Sequence, residues 1–121
     1  MGEKKKVVYI LGPFDQPIGL DDYAAVDDML TRLGYETISS VLLPEGMDKD
    51  KAHRLAVSMI YAADAVVILP NWRTSEKTVT EHYLAYCFDK PTVDVELDGP
   101  PEVVETCLGQ VLETLTGEVS A

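Results

Sequence analysis

The sequence predicts an α/β fold: a three-layer α/β/α arrangement around a doubly wound parallel sheet of four to five strands, flavodoxin-like or Rossmann-like, in order 2-1-3-4. Three observations predict it. Short apolar runs alternate along the chain with segments of helical periodicity. Two of those runs, Val7–Leu11 and Ala65–Leu69, are apolar at every position, as strands covered on both faces require. Glycine and proline punctuate the joins, with Gly12-Pro13 ending the first run and Pro70 stopping the other.

The elements follow in order. Val7 to Leu11 is a β-branched and aromatic strand. A loop with Pro17 and Gly19 leads to a helix capped by Asp21 or Asp22. Its apolar positions Tyr23, Val26, Met29, Leu30 and Leu33 keep helical spacing, and Gly34 is the expected residue just past its end. Tyr35 to Val41 reads as a second strand, rich in polar β-formers. Leu43 to Met47 is a loop, and Asp48 caps the next helix. That helix turns Ala52, Leu55, Ala56, Met59, Ile60 and Ala63 inward at i, i+3, i+4, i+7, i+8 and i+11. Ala65 to Leu69 is the third strand. The polar loop Asn71 to Lys77 precedes a third helix from Thr78 to Asp89. Thr92 to Leu97 is a fourth strand. Pro101 suits the first position of a last helix with Val104, Cys107, Leu108, Val111 and Leu115 on its inner face. Thr116 to Ala121 reads as a frayed tail.

Composition narrows the possible functions. The chain has 121 residues, the size of one domain, taken here as residues 1–121. Its formal charge of −11, from 10 Lys+Arg against 21 Asp+Glu, opposes a nucleic-acid polymer or an anionic membrane as partner. Cys87 and Cys107 have neither disulfide nor zinc spacing and read as free thiols. The start Met1-Gly2 leads into no secretory segment, and Lys6 stands where a myristoylation signal prefers Ser or Thr. No apolar run approaches a membrane span. These features predict a cytoplasmic protein, and nothing calls for a metal or redox cofactor.

In such sheets ligands bind beyond the carboxyl ends of the strands, where strand order reverses. With order 2-1-3-4 that crevice lies between the first and third strands. Gly12, Pro13 and Phe14 line one side, and the loop carrying Asn71, Trp72, Arg73, Thr74 and Ser75 lines the other. Glycine-rich phosphate cradles are absent, and His53 and His82 belong to no catalytic pattern. Glu81 sits in what reads as the first turn of the third helix, aimed at the crevice.

Tyr9-Ile10-Leu11-Gly12-Pro13 resembles the opening motif of the nucleoside 2-deoxyribosyltransferase-like superfamily. Leu43 to Met47, Ala63 to Trp72, and Ser75 followed by Glu81 resemble one small, DUF4406-like branch of it. The similarity runs from Tyr9 to Thr92. It implies action on the N-glycosidic bond of a deoxynucleoside or nucleoside monophosphate. It gives Glu81 the nucleophile's role and Tyr9 that of a hydrogen-bonding partner orienting the carboxylate. An oxocarbenium-like transition state suits a nearby carboxylate. Gly12 and Pro13 would admit the ligand closely, and Trp72 would stack on a base. The resemblance also implies a homo-oligomer, at least a dimer.

Other roles stand beside these. Thr78-Val79-Thr80-Glu81 is a capping-box string in which Glu81 bonds back to the Thr78 amide. Tyr9 is also a plain core tyrosine and Trp72 a subunit anchor. Arg73 and Lys77 are either solvated loop charges or a phosphate clamp, with Arg73 bidentate. The chain departs from the superfamily pattern at Ala56, where a second carboxylate is usual, and at Ala24, Ser75 and Lys77. The loss of that carboxylate removes the simplest proton donor for the leaving base, with His53 as the candidate substitute. An enzyme, a binding module that keeps only fold and crevice, and an interaction protein are the three readings, in that order.

Overall fold

The computed structural model describes residues 4–14 and 17–117. Four strands, β1 (Val7–Leu11), β2 (Glu36–Ile38), β3 (Ala65–Ile68) and β4 (Thr92–Asp94), form one parallel sheet in the order β2-β1-β3-β4. Helices α1 (Pro17–Arg32), α2 (Lys49–Ala62), α3 (Glu76–Cys87) and α4 (Pro101–Thr116) flank it. The fold is the expected α/β class with the expected strand order.

Alternation of side chains divides the core between the two faces of the sheet. Val8 and Ile10 of β1 join Val26, Leu30, Leu108 and Leu112 of α1 and α4. Tyr9 and Leu11 face the other way, with Ile60 of α2 and Ala85 of α3. The central strands are therefore buried on both sides, which explains why Val7–Leu11 and Ala65–Leu69 show no polar alternation. At β4 the pattern changes. Val93 and Val95 are buried while Thr92, Asp94 and Glu96 are exposed. Both edge strands, β2 and β4, have only three residues.

Several boundaries differ from the sequence reading. Helix α1 starts at Pro17, so Asp21 and Asp22 lie inside it and do not cap it. Pro17 supplies a preset φ at the first helical position, and the missing N–H costs nothing there. Gly19 then packs against the loop after β1: an added Cβ would lie 1.8 Å from the Pro13 carbonyl oxygen. The end of α1 is as expected, with Gly34 at φ 95° and Tyr35 N–H bonded to the Leu30 carbonyl.

The second strand stops at Ile38, not Val41. Ser39 turns inward and donates its hydroxyl to the Ile10 carbonyl at 2.7 Å. A 3₁₀ turn, Ser40–Leu42, follows it. Asp48 caps α2, accepting the Lys51 N–H at 3.2 Å. Of the expected inner face of α2, Leu55 is exposed, while Ala56 and Ile60 are buried. The strand ladder of β4 is likewise shorter than expected, though Val95 still donates to Ile68. On α4 the buried residues are Leu108, Gly109 and Leu112, whereas Cys107, Val111 and Leu115 are exposed. The inner face is rotated because α4 approaches α1 closely at Gly109, where an added Cβ would meet Leu33 at 3.0 Å. Helix α4 continues through Thr116, and the rest of the expected tail, like Met1-Gly2, lies outside the described residues. Among the described residues no helix is long and apolar enough to cross a membrane.

Candidate functional site

Residue 9 is the midpoint of β1, and its side chain faces the α2/α3 layer. Its phenol donates to a carboxylate oxygen of Glu81 at 2.8 Å. Tyr9 is fully buried and Glu81 is 2% exposed. Among the described residues no buried side-chain oxygen or nitrogen lacks a partner. Among the described residues the other Glu81 oxygen has no hydrogen-bond partner, and it is not fully enclosed.

The capping-box role of Glu81 is not the one adopted. Helix α3 begins at Glu76, two residues before the expected start, so Thr78 is already inside it and Glu81 stands in its second turn. The cause is the loop. Asn71 adopts a left-handed conformation at φ 65°, which a short polar side chain tolerates. A 3₁₀ turn, Trp72–Thr74, then uses up the chain, and extended Ser75 opens the helix. The Thr78 hydroxyl bonds backward to the carbonyls of Trp72 and Ser75.

The electrostatics oppose one another at this pair. Burial raises the Glu81 carboxyl above the usual range; the Tyr9 hydrogen bond and the charges of Lys77 and His53 pull it down. Burial and the neighbouring carboxylate raise the Tyr9 phenol, which stays protonated and remains a donor. The Ser40 hydroxyl and N–H favour the opposite, ionised form of that phenol. Ser40, buried on the turn after β2, thus belongs to this cluster. Sequence reading missed it by extending the strand through it.

The loop residues are placed differently from one another. Trp72 stacks on His82 at 4.1 Å between ring centroids and 6° between planes, and Arg73 lies 4.6 Å from the Trp72 ring centre. One indole face is therefore already occupied. Phe14 packs edge-on against Tyr23 at 5.5 Å. A Cβ at Gly12 would lie 2.6 Å from a Leu69 methyl, so the glycine there serves close packing of β1 against the end of β3. Ala56, at the position of the missing carboxylate, is core, and exposed His53 sits one turn before it.

A cavity of about 710 Å³ opens beyond the carboxyl ends of β3 and β4. Trp72 and Arg73 line it, together with Asp22, Asp94, Glu96 and Asp98. Gly12, Pro13, Phe14, Ser75, Lys77, Tyr9 and Glu81 do not. The cavity and the Tyr9–Glu81 pair thus share the Trp72 loop but not a wall. The buried carboxylate of Glu81 therefore lies outside the lining of that cavity. Among the described residues no His, Cys, Asp and Glu cluster fits a metal ion.

No curated protein matches the chain in sequence. Solved structures match its fold. A 2-deoxyribosyltransferase from Bacillus psychrosaccharolyticus superposes with a TM-score of 0.62 at 18% identity, over 73% of this chain and 70% of that one. The 2-deoxyribosyltransferase of Leishmania mexicana gives 0.59 at 19%, over 75% and 65%. The CMP N-glycosidase BcmB of Clostridium botulinum gives 0.59 at 16%, over 90% and 99%. The family model described as a domain of unknown function, DUF4406, matches residues 6–94. With most of its length matched, the chain belongs to the DUF4406 family, on a fold of the nucleoside 2-deoxyribosyltransferase-like type.

Proposed function

We propose that the chain acts on the N-glycosidic bond of a deoxynucleoside or nucleoside monophosphate, with Glu81 as nucleophile and Tyr9 as its positioning partner. The observation that carries this reading is the Tyr9–Glu81 hydrogen bond at 2.8 Å. That bond fixes one oxygen of the buried carboxylate and leaves the other for the sugar. The free oxygen attacks the anomeric carbon, and the bond to the base breaks with its electron pair leaving on the base. The departing base takes a proton, for which His53, whose charge acts on Glu81, is the donor in this reading. Water or a second base then displaces Glu81 from the sugar. The activities of the structural neighbours, 2-deoxyribosyl transfer and CMP N-glycosidase action, support both outcomes of that last step. Assembly of copies belongs to the same reading.

The charge of the cavity bears on the ligand. Four carboxylates face one guanidinium there, so its walls suit a neutral base or sugar better than a phosphate. A phosphate has its cations in Arg73 and Lys77, in the loop and first turn before Glu81.

One observation favours a second reading, a binding module without turnover: Ala56 is core, so no second carboxylate serves the leaving base. Incubation with a panel of deoxynucleosides and monophosphates, following free base, separates the two. Base release abolished by Glu81→Ala supports the enzyme. Binding without release, in wild type and Glu81→Ala alike, supports the module.

A further inference from the structure

The Tyr9 phenol has a single proton and donates it to Glu81. How firmly it does so depends on what meets the phenol oxygen from the other side. The strand register brings such a group within reach. Tyr9 of β1 pairs with Ile38 of β2, and Ile38 packs in the same layer as Tyr9. Ser39 keeps an extended backbone, so the alternation of side chains runs one residue past the strand. Its hydroxyl donates to the Ile10 carbonyl at 2.7 Å, pinning the chain to β1 next to Tyr9. Ser40, two residues beyond Ile38, then returns to the Tyr9 side.

The 3₁₀ turn after β2 leaves Ser40 two donors for this purpose. The Val41 N–H goes to the Ser39 hydroxyl at 3.4 Å, the Leu42 N–H to the Ser39 carbonyl and the Leu43 N–H to the Ser40 carbonyl. The first N–H of a helical turn has no acceptor within the turn. At Ser40 that N–H and the side-chain hydroxyl both meet the Tyr9 phenol oxygen. Ser40 and Tyr9 are both buried, so water has little access to the contact.

We propose that Ser40 is a positioning residue of this site, acting on Glu81 through Tyr9. Two donors on the phenol oxygen fill its acceptor side and leave the phenol proton only the carboxylate to point at. They also draw charge from that oxygen, which strengthens the O–H as a donor and favours ionised Glu81. The titratable groups that act on Glu81 directly are Tyr9 of β1, Lys77 of α3 and His53 of α2. Ser40 is uncharged and reaches the carboxylate through the phenol. Its effect on rate rests on Glu81 as nucleophile; its effect on the carboxyl does not need turnover.

Carbon NMR of the full chain with labelled glutamate reads the Glu81 carboxyl, and base release reads the reaction. Ser40→Ala is expected to move the Glu81 titration to higher pH, in the direction of Tyr9→Phe but less far. The acid limb of base release is expected to move with it while the plateau rate is kept. Added to Tyr9→Phe, Ser40→Ala is expected to cause no further shift, because the connection is already cut. Ser40→Thr, which keeps the hydroxyl, is expected to titrate like wild type. A merely structural role lowers the melting temperature or the plateau and leaves the titration in place. An unmoved Glu81 titration in Ser40→Ala, or a full further shift on top of Tyr9→Phe, overturns the proposal. A shifted titration in a chain that releases no base upholds it and overturns the nucleophile's role instead. If Ser40→Ala does not fold, the Ser40 amide signal of the wild type decides. It is expected to follow the Glu81 titration and to lose that response in Tyr9→Phe, and no response in the wild type overturns the proposal.

Discussion

The Tyr9 phenol donates to Glu81 at 2.8 Å, tying the middle of β1 to the second turn of α3, 72 residues along the chain. This bond does two things at once. It fixes the carboxylate's orientation, and it favours the ionised form that burial disfavours.

Removing the donor therefore shifts the balance in a known direction. Tyr9→Phe deletes an influence that lowers the Glu81 pKa, so the carboxyl ionises at higher pH. Base release that depends on ionised Glu81 rises with pH through that pKa. The acid limb of the pH–rate profile is expected to move to higher pH in Tyr9→Phe, with a loss of about 1–3 kcal/mol in stability from the unpaired buried oxygen. An unmoved limb means that Tyr9 does not act on Glu81.

Stability should respond to Glu81 with the opposite chemistry. Its folded pKa is raised, so the native state binds this proton more tightly than the unfolded chain does. The associated stabilisation is complete below the unfolded pKa and is lost as pH rises through the folded one. Glu81→Gln keeps a hydrogen-bonding group and removes the buried charge. It is expected to melt higher than wild type at neutral pH, with the gap shrinking on acidification. Melting curves across that range check the sign.

His53 is assigned the proton for the leaving base. Its replacement should hurt only where that proton is needed. His53→Gln is expected to slow release of an ordinary base about 10²-fold or more and to spare a nucleoside whose base is already cationic. Equal losses on both substrates would remove His53 from the reaction.

Arg73 separates the phosphorylated from the free ligand. Arg73→Glu is expected to weaken monophosphate binding by about tenfold or more while leaving nucleoside binding nearly unchanged. Titration calorimetry with the two ligands reads the difference. Equal loss of both removes the phosphate role.

The two glycines beside the crevice differ in what an added methyl meets. At Gly19 it strikes the Pro13 backbone carbonyl at 1.8 Å, whereas at Gly12 it strikes the end of the Leu69 side chain at 2.6 Å. Backbone yields less than a rotamer does. Gly19→Ala is expected to destabilise by about 3 kcal/mol or more and Gly12→Ala by less, measured by chemical denaturation.

The strand order and the central strands were legible because runs such as Ala65–Leu69 announce burial on both faces. The Tyr9–Glu81 pairing was legible through resemblance. Its place in the helix was not, because Thr78-x-x-Glu81 mimics a cap and the 3₁₀ turn at Trp72 leaves no local signature. Ser40 escaped for a related reason. A serine hydroxyl that turns inward to satisfy a neighbouring strand, as Ser39 does on Ile10, reads in sequence as one more polar strand residue. On α4 the apolar stripe was visible, but which part faces inward depended on Gly109 admitting Leu33, a tertiary fact. The occupied face of Trp72 needed His82, ten residues on, to be brought beneath it.

The short outer strands have a consequence for how the protein behaves when crowded. An exposed strand edge is a template on which foreign strands can polymerise, and three residues offer few hydrogen bonds to such a visitor. Along β4 and just beyond it, exposed Asp94, Glu96 and Asp98 add gatekeeping charge where an invading segment would lie. The same brevity that trims the sheet at its margins protects the chain from fibrillar stacking.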